Sequence, residues 1–194
     1  STIESMMLDP DKPAPPCPAP ALEEIQRAAA NIRSARKRGA SVMLMYGAHL
    51  IKNGALRMVN RLVEDGWLTH LATNGAGVIH DWELSFLGKT EESVRKNVAT
   101  GTFGTWNETG RCIHLAILAG ALRPEGYGRS LGRFIQEDGV VLPSPDSLKH
   151  ELSSDPTHPL APARAELLQA MLQTGIKGGP LRVEHRWKST SILA

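Results

Sequence analysis

At 194 residues the chain is long enough for one domain with a substantial core, and no apolar run reaches the ~18 residues a membrane helix needs. The formal net charge of +2, with acidic and basic residues interleaved, argues against a nucleic-acid surface, which calls for clustered Lys and Arg. The chain lacks the basic start and apolar core of a secretory signal. Its two cysteines, Cys17 and Cys112, form no CxxC pair or metal spacing, so reduced thiols in a cytoplasmic protein are expected.

Residues 1–20 carry Pro10, Pro13, Pro15, Pro16, Pro18 and Pro20 and read as an extended arm without a regular element, either disordered or packed on a neighbouring subunit. Leu22, Ile25, Ala29 and Ile32 then fall on one face of a helix over 21–38 that Gly39 stops. The basic run at 33–38 is expected to decorate the C-terminal end of that helix, where cations complement the dipole, the alternative being a phosphate-binding patch. Residues 41–46 form a short apolar run that suits a buried strand. Ile51, Ala55, Met58, Val59, Leu62 and Val63 make an apolar stripe that predicts one helix over about 50–65, with Gly66 at its stop. A second strand is expected at 68–72, parallel to the first because a helical crossover joins them.

Residues 78–87 continue as a helix, and Thr90 is placed to cap another, with Glu91 and Glu92 in its first turn. Further helices are expected at 108–122 and 163–174, the latter on Leu167, Leu168, Met171 and Leu172. Gly126, Gly128 and Gly132 interrupt a helical stretch ending near Gly139, and 143–162 reads as loop-rich. Residues 182–194 read as the opening of a helix with nothing to end it. The fold class is therefore α/β, a Rossmann-like parallel sheet with flanking helices that looks incomplete at its C-terminal side.

Two Gly-rich strand-to-helix junctions carry the chemistry, 46–54 and 73–81. Both lie at the edge of a parallel sheet where strand ends and helix N-termini converge on ligands. His49 stands at the first junction, where an imidazole meets a phosphate or ribose hydroxyl, or else simply caps the helix. Lys52 adds charge to the same turn or is a solvated surface lysine. Asn74, Gly75, Ala76 and Gly77 offer main-chain N–H groups with little obstruction, although the full GxGxxG pattern is absent. His80, Asp81 and Glu83 bunch polar groups at what reads as a helix start, either a site mouth or a solvated first turn. Trp67, Trp82 and Trp106 read as packing residues, and 103–110 as a polar, Gly-flanked lid. No HxxxH, HExxH or Gly-x-Ser-x-Gly pattern occurs, so neither a metal site nor serine catalysis is expected.

On the runs 42–54 and 68–88, with the helix between them, the chain resembles the deoxyhypusine synthase family, most closely its bacterial deoxyhypusine synthase-like branch. The resemblance spans 40–130 well and 130–194 loosely. It implies that 21–194 is an NAD-binding α/β domain, probed by Ala48, His49 and Lys52 in the first cofactor turn and Asn74, Gly75 and Ala76 in the second. In that family an Asn stands at the place of His49, and an acidic pair that holds the polyamine stands at Ile79-His80. The lysine that carries the imine lies in a Gly-rich motif without counterpart among these 194 residues. The resemblance thus implies part of an NAD-dependent transferase acting on an amine or polyamine-like substrate, inactive by itself, with His80 and Asp81 as catalytic candidates. It also implies a homo-oligomer or a complementary C-terminal half as partner. The alternative is a non-catalytic binding or assembly subunit that completes its sheet with another chain.

Overall fold

The computed structural model describes residues 2–90 and 92–194. The chain is mixed α/β and divides into two compact units, one up to His80 and one from Asp81 onward.

In the first unit a single helical turn, α1 (Ile3–Met6), buries Ile3. The main chain then runs beside Gly54, whose carbonyl accepts the Leu8 N–H at 3.0 Å. The N-terminal segment expected to be an arm is thus docked over 3–8 on its own unit. Its prolines do break the backbone afterwards, and Pro20 sits in the first turn of α2 (Ala19–Lys37), where its missing N–H costs nothing. The apolar stripe of α2 is not covered as a packing face should be, since Leu22 and Ile25 are 44% and 58% exposed. What fixes the helix is its basic end: Arg36 donates to the carbonyls of Gly66 (2.7 Å) and Ala40 (2.8 Å).

Strands β1 (Met43–Tyr46) and β2 (His70–Thr73) are parallel, in register from Met43↔His70 to Tyr46↔Thr73. Thr69 extends the pairing, its hydroxyl accepting from the Val42 N–H and donating to the Val42 carbonyl. The crossover between the strands is not the single helix that the apolar stripe predicts. It is α3 (Ala48–Lys52) followed by α4 (Leu56–Glu64), broken at Asn53-Gly54. The cause is the N-terminal segment. Gly54 adopts φ +77°, and a Cβ there would lie 1.8 Å from the Met6 carbonyl oxygen, so only glycine lets the two stretches of backbone cross. Ile51, Leu56 and Val59 are buried across the break.

Helix α5 (Gly75–Leu87) follows β2 and contains the boundary between the units. The second unit continues with α6 (Val94–Ala99), α7 (Asn107–Ala121), α8 (Tyr127–Gln136), β3 (Gly139–Leu142), α9 (Pro145–Ser154), α10 (Ala161–Thr174) and β4 (Gly179–Arg182). β3 and β4 pair antiparallel, so this unit has its own two-stranded sheet, beyond the two strands the sequence predicts. Its core is formed by Trp82, Leu84, Leu115, Leu131, Phe134, Leu148, Leu167 and Met171.

Three stretches of the second unit fold differently from what their sequence predicts. Thr90 does not cap a helix; its hydroxyl donates to Glu83 at 2.6 Å, and α6 starts instead after Ser93, whose hydroxyl accepts the Lys96 N–H. Glu91 lies outside the described residues. The stretch expected to be loop-rich contains α9, capped by Ser144 with Pro145 in the first turn. The C-terminal stretch does not open a helix: after β4 it makes one 3₁₀ turn, Lys188–Thr190, and is held by long-range bonds. Among the described residues no helix is long and apolar enough to cross a membrane.

Candidate functional site

The two junctions predicted to bind a ligand meet at the C-terminal edge of β1 and β2. Gly47 ends β1 in extended conformation and opens α3 without a side-chain cap. Asn74 ends β2 and caps α5 with its side chain, Oδ1 accepting the Gly77 N–H at 3.0 Å. The turns adjoin, since a Cβ on Gly47 would lie 3.6 Å from Asn74 Nδ2. Gly77 permits the tight return of α5 onto the strands, because a Cβ there would sit 2.2 Å from the Thr73 hydroxyl and 3.5 Å from the Tyr46 ring.

Around this floor, Asn74, Gly75 and Ala76 are exposed and Ala48 is half-buried. Gly75 faces open space. Among the described residues the N–H groups of Gly75 and Ala76 have no protein partner, as expected for the first donors of a helix. His49 is exposed on α3, and Lys52 is half-buried and already engaged within the chain. The six residues proposed for the cofactor thus lie on two turns of the first unit that adjoin where Gly47 meets Asn74. Asn74 spends its oxygen on the cap, which leaves its amide nitrogen facing Gly47.

The polar group at 80–83 is placed differently from the expectation. α5 begins at Gly75, so His80, Asp81 and Glu83 stand in its interior and not in its first turn. His80 is half-buried and engaged with a neighbour. Asp81 is 1% exposed. Its carboxylate accepts from the Ser191 hydroxyl (2.7 Å), the Ile192 N–H (3.2 Å) and the Leu193 N–H (3.1 Å). Burial pushes its pKa up to about 6, against the lowering effect of those three donors. Asp81 therefore ties down the 191–193 segment, and a substrate has no path to it. Glu83 is likewise buried, on the Thr90 hydroxyl.

Comparison with family models, curated proteins and solved structures finds no match to this chain. Function therefore rests on the geometry itself.

One further cluster was not visible as a site in the sequence. His185 is 1% exposed and packs edge-on against Trp82 at a centroid distance of 4.7 Å, with Phe86 and Phe134 at 5.6 and 6.0 Å. Its Nδ1 lies 2.8 Å from the Val183 carbonyl, which sets Nδ1 as the protonated nitrogen, while its Nε2 and the Trp82 Nε1 have no hydrogen-bond partner among the described residues. Burial lowers the His185 pKa to about 4. Outside the rings, Asp138 accepts the His185 N–H at 2.9 Å and pairs with Lys188, chiefly through that lysine's hydrogen bond, which holds the Asp138 carboxyl below its ordinary range. Trp82 is a packing residue, as its place in the sequence predicts. The stretch expected to be a lid is an exposed turn followed by the start of α7, and Glu92 closes its base by accepting the Gly104 N–H at 2.6 Å. Among the described residues no group of three or more His, Cys, Asp or Glu is arranged to hold a metal.

Proposed function

We propose that the first unit binds NAD at the paired turns, as the nucleotide-binding part of a deoxyhypusine synthase-like, Rossmann-like transferase acting on an amine. The observation that carries this reading is the pair of unpartnered N–H groups of Gly75 and Ala76, exposed at the N-terminus of α5 and at the edge of a parallel strand pair beside Gly47. Such donors suit a pyrophosphate, and the small side chains at 47 and 75–77 let it approach the main chain. His49 and the Asn74 amide then serve the ribose and carboxamide ends. NAD, when bound, supplies hydride acceptance from the carbon next to the amine; the protein's part is to orient it. His80 is the candidate proton acceptor on α5. Asp81 is left out of that role by its burial. With Ile79-His80 where the resembled family has two carboxylates, the substrate is a smaller or less cationic amine than spermidine.

Titration calorimetry with NAD and NADH tests the proposal. His49→Ala and Asn74→Ala should each weaken binding by on the order of 1 kcal/mol, about five- to tenfold, and cofactor should protect 47–52 and 73–77 from hydrogen exchange. Absence of any saturable binding would remove the proposal.

A second reading, an assembly unit whose sheet is completed by another chain, is favoured by one observation. Met43 and Met45, on one face of β1, are 57% and 79% exposed, and among the described residues β1 pairs only with β2. A doubly wound sheet covers both faces with helices. Light scattering should then give a mass above that of one chain, and Met45→Glu should shift it toward the monomer. A monomer at all concentrations would exclude this reading.

A further inference from the structure

The second unit holds a cavity of about 340 Å³ between the end of α7, β3, α9 and the first turn of α10. That is at the small end of the roughly 300–1,000 Å³ of small-molecule sites. Its floor is apolar, made by Ala119, Leu122 and Leu148, and its charged lining is Arg123, Arg164 and Glu151.

The two arginines are paired, but neither is used up. Arg164 spends its Nε on Glu151 at 2.8 Å, and no other described residue partners its two terminal nitrogens. Arg123 holds Glu125 Oε2 through Nε and one terminal nitrogen at 3.4 and 3.3 Å, while Arg133 takes Oε1 of the same carboxylate at 2.6–2.7 Å; the other terminal nitrogen of Arg123 has no partner among the described residues. Each of the two guanidinium groups lining the cavity thus has one carboxylate partner and keeps terminal N–H donors with no partner among the described residues, above an apolar floor. Guanidinium nitrogens match carboxylate oxygens two by two. At the rim, Val141 turns its side chain outward, 71% exposed, the one residue of β3 that is not buried. A hydrocarbon lying across the floor would cover it.

We propose that this cavity is a binding site for a small carboxylic acid with an apolar body, its carboxylate held by Arg123 and Arg164 and its hydrocarbon laid on Ala119, Leu122 and Leu148. The site is independent of the NAD proposal, which concerns residues of the other unit.

Calorimetry of the full chain with decanoate tests it, with decanol as neutral control and decyltrimethylammonium as cationic control. Saturable binding of one decanoate per chain is expected, with both controls at least about tenfold weaker. Arg123→Gln should weaken decanoate on the order of tenfold. Glu151→Gln should strengthen it, because it removes a repelling carboxylate and releases Arg164. Val141→Asp, at a position 71% exposed, should weaken it by repulsion at the rim. No saturable decanoate binding, equal binding of decanol, or binding that is unchanged in both Arg123→Gln and Val141→Asp would overturn the proposal.

Discussion

Asp81→Ala should destabilise the second unit by about 2–4 kcal/mol and release its C-terminal segment. The substitution deletes the acceptor of three hydrogen bonds, from the Ser191 hydroxyl and the Ile192 and Leu193 amides, and leaves those donors in a part-buried setting. Each such loss costs roughly 1–3 kcal/mol, and relief from burying a charge offsets part of the sum. Asp81→Asn separates the two effects. It keeps the shape and one acceptor oxygen but carries no charge, so it should lose less. Chemical denaturation gives the stability, and limited proteolysis gives the local effect: cleavage near 191–193 should become fast in Asp81→Ala while the first unit stays intact. Stability within about 0.5 kcal/mol of the parent would show that the clamp contributes nothing.

The second large effect concerns pH. Asp81 has its folded pKa raised to about 6, so the native state binds that proton more tightly than the unfolded chain does. Its contribution is fully present below the ordinary carboxylate range and is lost as pH rises through about 6. His185 is the mirror case. Its folded pKa is lowered to about 4, so its contribution is present above the ordinary histidine value and is lost as pH falls toward 4. Each shift amounts to about 3 kcal/mol across its window, and between pH 4 and 6 the two oppose each other. These two groups together should therefore leave stability nearly flat there. His185→Phe keeps an aromatic ring against Trp82 and Phe134 but removes the proton site. It also deletes the bond to the Val183 carbonyl, a cost that does not vary with pH. Relative to the parent, the variant should gain about 3 kcal/mol as pH falls from 7 to 4, read from urea melts at a series of pH values. A difference that stays constant with pH would show that His185 does not titrate as its burial requires.

Local patterns made part of this fold readable in advance. The β1–β2 pair, α2, α7 and α10 follow from short apolar runs or helical stripes, and the Gly-rich turns follow from composition at the strand ends. α9 has a legible start although the stretch reads as loop-rich: Ser144, Pro145 and Asp146 are a cap, a first-turn proline and a first-turn acid in sequence. The break between α3 and α4 was not legible, because it depends on Met6 crossing Gly54, a contact between distant parts of the chain. β3 is four residues with three apolar side chains, too short for periodicity to separate strand from helix. The proposed site divides the same way. Its turns could be read from residue types, whereas the fate of Asp81 could not, since all three of its partners lie more than a hundred residues away.

That separation also sets an order of events during synthesis. Asp81 leaves the ribosome 110 residues ahead of Ser191, an interval of roughly 5–20 s at ordinary elongation rates. Through that time its carboxylate has water as its only counterpart for those three donors, and it sits on the same helix as Trp82 and Leu84, which must wait for α8 to be made. The paired strands of the first unit and both halves of their crossover are complete once Thr73 is in place. Translation thus delivers the β1–β2 pair early, and a second unit in which the contacts of Asp81 close only when residues 191–193 emerge.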